Sequence, residues 1–291
     1  MGQIVNMTAY RFVDLPDRDD LRQPMLNKCL ELDLKGTILL APEGINIFIA
    51  GESKSCDAFF AYLGEDSRFQ SFDVKSSFSD HQPFTRMLVR LKKEIITLRN
   101  DEVKPSEFTG PAIKSAVLKQ WFDEGKRFTV LDTRNDYETK FGKFSNAIDL
   151  NLQAFTDFPQ AIQELPEKMK HQPVVMYCTG GVRCEKASVV MLNHGFKEVY
   201  QLDGGILKYF EDVGGDHWDG DCFVFDHRVC LNPDLEETDA ALCFACRERP
   251  AGTHCCGACK EWILPHEESL GCELCGQWYH GPCLGDLVCF E

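Results

Sequence analysis

A chain of 291 residues with 44% hydrophobic content is long enough for two or three globular domains. It has no apolar run of about 18 residues, and its start, MGQIVNMTAY, lacks the basic region and apolar core of a secretory signal, so neither a membrane span nor export is expected. The net charge of −15 argues against a polyanion partner only until its distribution is seen: 17 acidic and 4 basic residues lie from Glu211 onward, against 29 and 27 before it, which leaves the front two-thirds free to carry basic patches.

Residues 1–99 read as a small α/β domain. Ile4 to Phe12 is strand-like, and Leu21 to Leu34 places leucines and Met25 at helical spacing. Thr37 to Ala41 and Ile45 to Ala50 are β-rich runs joined by Pro42-Glu43-Gly44, which predicts a hairpin. A second helix is expected at Cys56 to Leu63 and a strand at Phe72 to Phe78. The order β-α-β-β-α-β predicts a ferredoxin-like, acylphosphatase-like sheet, with Cys29 and Cys56 as core cysteines.

Arg86 to Arg99 then carries Arg86, Arg90, Lys92, Lys93 and Arg99 against one acid, Glu94. Alternation of Leu88, Arg90 and Lys92 with Val89 and Leu91 predicts a strand with one basic face. Such a face is either ordinary solvated surface or a phosphate-contacting ribbon for RNA. Asn100 to Pro111, with two prolines and a Gly-Pro, reads as a linker.

Residues 112–213 alternate helices and strands, which predicts a doubly wound parallel sheet with its site beyond the strand C-termini. Val117 to Phe122 lies in a helix, Phe128 to Leu131 in a strand leading to D-T-R-N-D-Y-E, and Lys197 to Leu202 in a strand before D-G-G-I-L-K-Y-F. Between them stands PVVMYCTGGVRCEKASVVML. Val174 to Tyr177 reads as a buried strand, Cys178-Thr179-Gly180-Gly181-Val182-Arg183-Cys184 as a loop entering a helix. A cysteine at such a junction faces unpaired backbone N–H groups, and with Arg183 beside it the thiolate is favoured. Asp132 and Arg134 are expected to brace the site as a pair. Cys184 is either a resolving thiol for an oxidised Cys178 or a residue that merely starts the helix.

Residues 214–291 hold eleven of the fifteen cysteines. A chain with many cysteines and no export signal is expected to be cytosolic and to use them as thiols or metal ligands. Trp218 to Val229 reads as a hairpin-like extension. Beyond it, the pairs Cys243/Cys246, Cys256/Cys259, Cys272/Cys275 and His280/Cys283 have the spacing for two tetrahedral zinc ions, one of Cys243, Cys246, Cys272 and Cys275 and the other of Cys256, Cys259, His280 and Cys283. The segment C-E-L-C-G-Q-W-Y-H-G-P-C is similar to the second half of a PHD-type finger. No nucleotide-cofactor motif is evident.

The C-T-G-G-V-R loop resembles that of rhodanese-like domains, and V-L-D-T-R-N-D-Y-E and Y-Q-L-D-G-G-I resemble the segments that flank it. Related phosphatases carry one more residue between cysteine and arginine, so the phosphatase reading is the weaker one. Together with the front domain, the cysteine-rich tail and W-D-G-D-C-F-V-F-D-H-R-V, the chain resembles the rhodanese-related tRNA uridine hydroxylases. That resemblance implies 5-hydroxyuridine formation at the wobble position of a tRNA anticodon loop, with dioxygen as co-substrate and Cys178 as the essential cysteine. A sulfurtransferase carrying a persulfide on Cys178 and a non-catalytic zinc-tail adaptor remain the alternatives.

Overall fold

A computed structural model of the chain describes residues 3–240 and, beyond them, four short strands, His254–Cys255, Trp262–Ile263, Ser269–Gly271 and Trp278–His280. The first unit runs β1 (Ile4–Phe12), α1 (Arg18–Glu31), β2 (Lys35–Ala41), β3 (Gly44–Gly51), α2 (Ser53–Leu63), β4 (Lys75–Ser79) and β5 (Met87–Leu91). Its sheet has the order β4-β1-β3-β2-β5; the first four strands are antiparallel, as a ferredoxin-like β-α-β-β-α-β chain requires, and β5 is added parallel to β2. Alternation decides which face is covered. Ile38, Leu40, Ile45, Ile47 and Ile49 point to one side and pack with Met25, Cys29, Cys56 and Phe59 of the two helices. The opposite face carries Tyr10, Leu39, Asn46 and Phe48 and has no helix of its own.

The strand expected at Phe72 to Phe78 starts later than its sequence suggests. Phe72 belongs to the first core, stacked 6.3 Å from Phe69, and Ser71 takes a positive φ of 60°, so pairing begins only at Lys75. The basic strand spans Met87–Leu91, close to the alternating run Leu88 to Lys92; beyond it Ile95 and Leu98 turn inward and Leu98 joins the core of the second unit.

That second unit follows as β6 (Ala112–Ile113), α3 (Ser115–Asp123), β7 (Thr129–Asp132), α4 (Asp136–Thr139), β8 (Gly142–Phe144), β9 (Ile148–Asp149), α5 (Phe158–Ala161), β10 (Pro173–Tyr177), α6 (Val182–Asn193), β11 (Glu198–Leu202) and α7 (Gly205–Val213). Its main sheet, β6-β11-β10-β7-β9, is parallel throughout. Central β10 is covered on both sides, which explains its unbroken apolar run. Val174 and Met176 face the core beneath α6, while Val175 and Tyr177 face the core of α3 and α7. Each such side chain contributes roughly 1.5–3 kcal/mol by leaving water.

The extension after Val213 is built into this unit. The strand β12 (Trp218–Gly220) pairs with β8, and β13 (Cys222–Phe223) pairs with β14 (Cys230–Leu231). Trp218 and Cys222 join the α3/α7 core, and Trp218 stands edge-on to Phe144 at 5.1 Å. Asn146, in the turn after β8, holds a left-handed φ of 61°, a conformation asparagine tolerates.

Candidate active site

Cys178 is the first residue past β10, at the C-terminal edge of the parallel sheet. The chain must reverse there within three residues before α6 begins. Gly181 does this with φ 97°, and a Cβ on it would stand 2.9 Å from the Tyr10 hydroxyl. Gly205 also has positive φ, and its Cβ would come within 2.4 Å of the Cys178 carbonyl. That bareness lets the start of α7 approach: Ile206 N–H donates to the Cys178 carbonyl at 3.0 Å and Leu207 N–H to that of Thr179 at 3.1 Å.

The Cys178 sulfur accepts the Gly181 N–H at 3.1 Å, and the residue is only 1% exposed. Burial opposes ionisation, yet the Cys184 thiol, the Arg183 guanidinium and the N–H groups of residues 183 and 184 outweigh it. The Cys178 pKa is held down at about 6. Cys184 goes the other way, pushed well above the ordinary thiol value by burial and then by Cys178 itself.

Arg183 does not float over the loop. Its guanidinium grips Glu138 of α4 through two bonds of 2.5 and 2.7 Å, with both side chains at most 5% exposed. Burial opposes the charge on Arg183, but Glu138 more than offsets it and the cation is secured. Thr179 donates to the same carboxylate at 3.4 Å, and Asn135 N–H caps it at 3.1 Å. Sequence patterns do not single out Glu138; its one signal is the Asn135-x-x-Glu138 spacing, half of a capping box.

Asp132 and Arg134 form a second buried ion pair of 2.7 Å, in which both side chains are fully covered. Arg134 also donates to the Gly142 carbonyl at 2.6 Å and lies 5.2 Å from the Trp218 ring centre. It therefore ties β7 to the β8–β12 pair beneath the cysteine loop and takes no part in lining the cavity.

The uncovered face of the first sheet closes over Cys178. Between them lies a cavity of about 380 Å³, with Cys178, Gly180, Val182 and Arg183 on its floor and Tyr10, Asn46 and Phe48 on its roof. Phe225, from the turn between β13 and β14, spans one side, 6.4 Å from Phe48 and 5.8 Å from the Arg183 guanidinium. The two units are locked by contacts the sequence does not announce. Tyr10 donates to Glu185 at 3.0 Å, and buried Lys186 bridges Glu43 at 2.8 Å and Glu94 at 2.6 Å.

Arg86, Arg90, Lys92 and Lys93 are all exposed along the edge of the first sheet. Arg90 pairs in register with Leu39, which lines the cavity, so its side chain is on the cavity face at the outer rim. The expected zinc ligands Cys243, Cys246, Cys256, Cys259, Cys272, Cys275 and Cys283 lie outside the described residues, as does the side chain of His280. Among the described residues, no group of three or more histidine, cysteine or acidic side chains gathers as a metal site, and no helix is long and apolar enough to cross a membrane.

Comparison with known proteins agrees with this architecture. Residues 4–95 match the UPF0176 acylphosphatase-like domain and residues 115–212 the rhodanese-like domain. The tRNA uridine(34) hydroxylase of Cupriavidus pinatubonensis is 52% identical over 250 residues, covering 84% of this chain and 89% of that protein. The chain belongs to the tRNA uridine(34) hydroxylase family. A second tRNA uridine(34) hydroxylase, from Ralstonia nicotianae, is 51% identical over the same shares of both chains. The cavity of this family member thus lies between its two matched domains, with Cys178 from one and Tyr10, Asn46 and Phe48 from the other.

Proposed function

We propose that this chain hydroxylates uridine 34 of tRNA at C5, using dioxygen, with Cys178 as the nucleophile. The observation that carries the proposal is a low-pKa thiol lining an aromatic-walled cavity of about 380 Å³, in a chain of this family. A thiolate adding to C6 of uracil makes C5 a nucleophilic enolate carbon, which captures oxygen. Anticodon bases are already unstacked, so extruding one into the cavity costs little. Aromatic walls suit a planar base, and the exposed basic edge of Arg86, Arg90, Lys92 and Lys93, with Arg90 on the cavity face, suits the phosphates on either side of it.

Protein, tRNA and air together should yield 5-hydroxyuridine by nucleoside mass spectrometry, whereas anaerobic samples should not. Vigorous thiosulfate-to-cyanide sulfur transfer with no change in the tRNA would replace this function by a sulfurtransferase. The cysteine-rich tail is proposed to hold zinc through its four thiolate and imidazole pairs, a role apart from the reaction. About two zinc ions per chain by elemental analysis support that assignment, and metal-free protein with an ordered tail refutes it.

A further inference from the structure

Exchanging the C5 hydrogen of uracil for a hydroxyl uses one atom of dioxygen. The other leaves as water, which requires two electrons that the base itself does not supply. The cavity reaches the Cys178 sulfur on one side. Cys184, wholly buried, lies in the same core cluster as Cys178, close enough that each thiol shifts the acidity of the other. Cys184 is held there rather than free to turn away. Its sulfur is 3.7 Å from the Thr133 hydroxyl, which donates to the Tyr177 carbonyl at 2.9 Å, at the end of β10. Cys178 therefore stands between the cavity and a second thiol in the core, the two neighbours that a displacement at its sulfur would join.

We propose that Cys178 and Cys184 work as a dithiol that supplies the two electrons of the hydroxylation. This inference rests on the hydroxylase function proposed above. Cys178 adds to C6, and C5 takes up dioxygen and a proton to become a hydroperoxide. Loss of the C5 proton with the distal oxygen as hydroxide releases water and leaves a ketone at C5. The Cys184 thiolate then attacks the Cys178 sulfur. The S–S bond forms as the S–C6 bond breaks, and its electron pair passes into the ring, which after protonation is 5-hydroxyuracil. In sum, uridine, dioxygen and two thiols give 5-hydroxyuridine, water and one disulfide. An external dithiol reductant restores the pair for the next cycle.

Timing follows from electrostatics. While Cys178 is a thiolate, burial and that neighbouring charge keep Cys184 protonated. Once Cys178 is a neutral thioether that charge is gone, which leaves burial alone against the Cys184 anion and Arg183 in its favour. Attachment of substrate therefore makes Cys184 easier to ionise than it is in the free chain.

The full chain, reduced and then freed of thiols under anaerobic conditions, should give one burst of 5-hydroxyuridine when mixed with tRNA and air. The burst should equal the chains present, match the amount of Cys178–Cys184 disulfide found by peptide mass spectrometry, and resume on adding dithiothreitol. Cys184→Ser should arrest in air as a covalent complex between Cys178 and tRNA, with turnover lost. Wild-type product without the disulfide would overturn the inference, and this reading needs no variant to fold. So would Cys184→Ser turning over at the wild-type rate. Wild-type protein that makes no 5-hydroxyuridine even with dithiothreitol present would instead overturn the hydroxylase function, and the dithiol step with it.

Discussion

Cys29 and Cys56 in the first core and Cys178 in the second are all nearly or fully buried, yet their acidities diverge. Burial pushes Cys29 up to about 12 and Cys56 up to about 11, because the apolar helices around them offer the thiolate no compensating positive charge. Cys222, close to the Cys178 loop, is likewise pushed up to about 12. Cys178 alone among these is held down at about 6. The difference is local architecture. A strand end, a left-handed glycine and the first turn of α6 aim N–H groups at one sulfur, with a guanidinium locked beside it. Desolvation alone makes a cysteine inert; the same desolvation around converging donors makes it a nucleophile.

The most severe way to break this contrast is Cys178→Ser. It keeps the shape of the loop but replaces an ionised thiol by a hydroxyl, so hydroxylation should be abolished while tRNA affinity, measured by filter binding, stays close to wild type. Arg183→Gln comes next. It removes the cation from the loop and strands Glu138 in the core, so denaturant unfolding should register a loss of about 3–5 kcal/mol. The Cys178 pKa should rise toward those of Cys29 and Cys56, as thiol titration would show. Lys186→Met leaves Glu43 and Glu94 without their bridge, both partly reached by water, and should cost about 1–3 kcal/mol without moving the Cys178 titration. Arg90→Glu with Lys92→Glu should act least on the site itself. The acidity of Cys178 should not change, but tRNA binding should weaken and its salt slope should shrink by roughly 0.7–0.9 for each phosphate no longer neutralised. Unchanged affinity and slope would make that edge an ordinary solvated face.

Much of the fold is legible in the chain itself, and the pattern of what is not is physical. Alternating Ile45, Ile47 and Ile49 and the solid apolar run before Cys178 report burial on one face or on two, so both sheets can be read from periodicity. The loop is legible because residue order alone creates its chemistry. Glu138 is half-visible, since a spacing of three from Asn135 places it at a helix start but does not say which cation it meets. Tyr10 and Glu185 are 175 positions apart, and Lys186 and Glu94 are 92 apart; such contacts exist only once the two units face each other. Alternation ends at Lys92, and nothing in the sequence after it says that Ile95 and Leu98 become buried or that Leu98 joins the core of the second unit.

Acidity of Cys178 is the most direct test of the account. The thiolate absorbance of wild-type chain minus that of Cys178→Ser, followed against pH, isolates this one group. Ionisation should have its midpoint at about 6, far below the ordinary thiol value of 9.0, and the hydroxylation rate should fall roughly tenfold per pH unit below that midpoint and level off above it. The sign carries over to folding. The folded chain binds this proton less tightly than the unfolded one, so the stability Cys178 contributes is complete above about 9 and is lost as pH falls through about 6. A midpoint at or above 9, with a rate still climbing there, would place Cys178 with Cys29 and Cys56 and contradict the thiolate chemistry on which everything else depends.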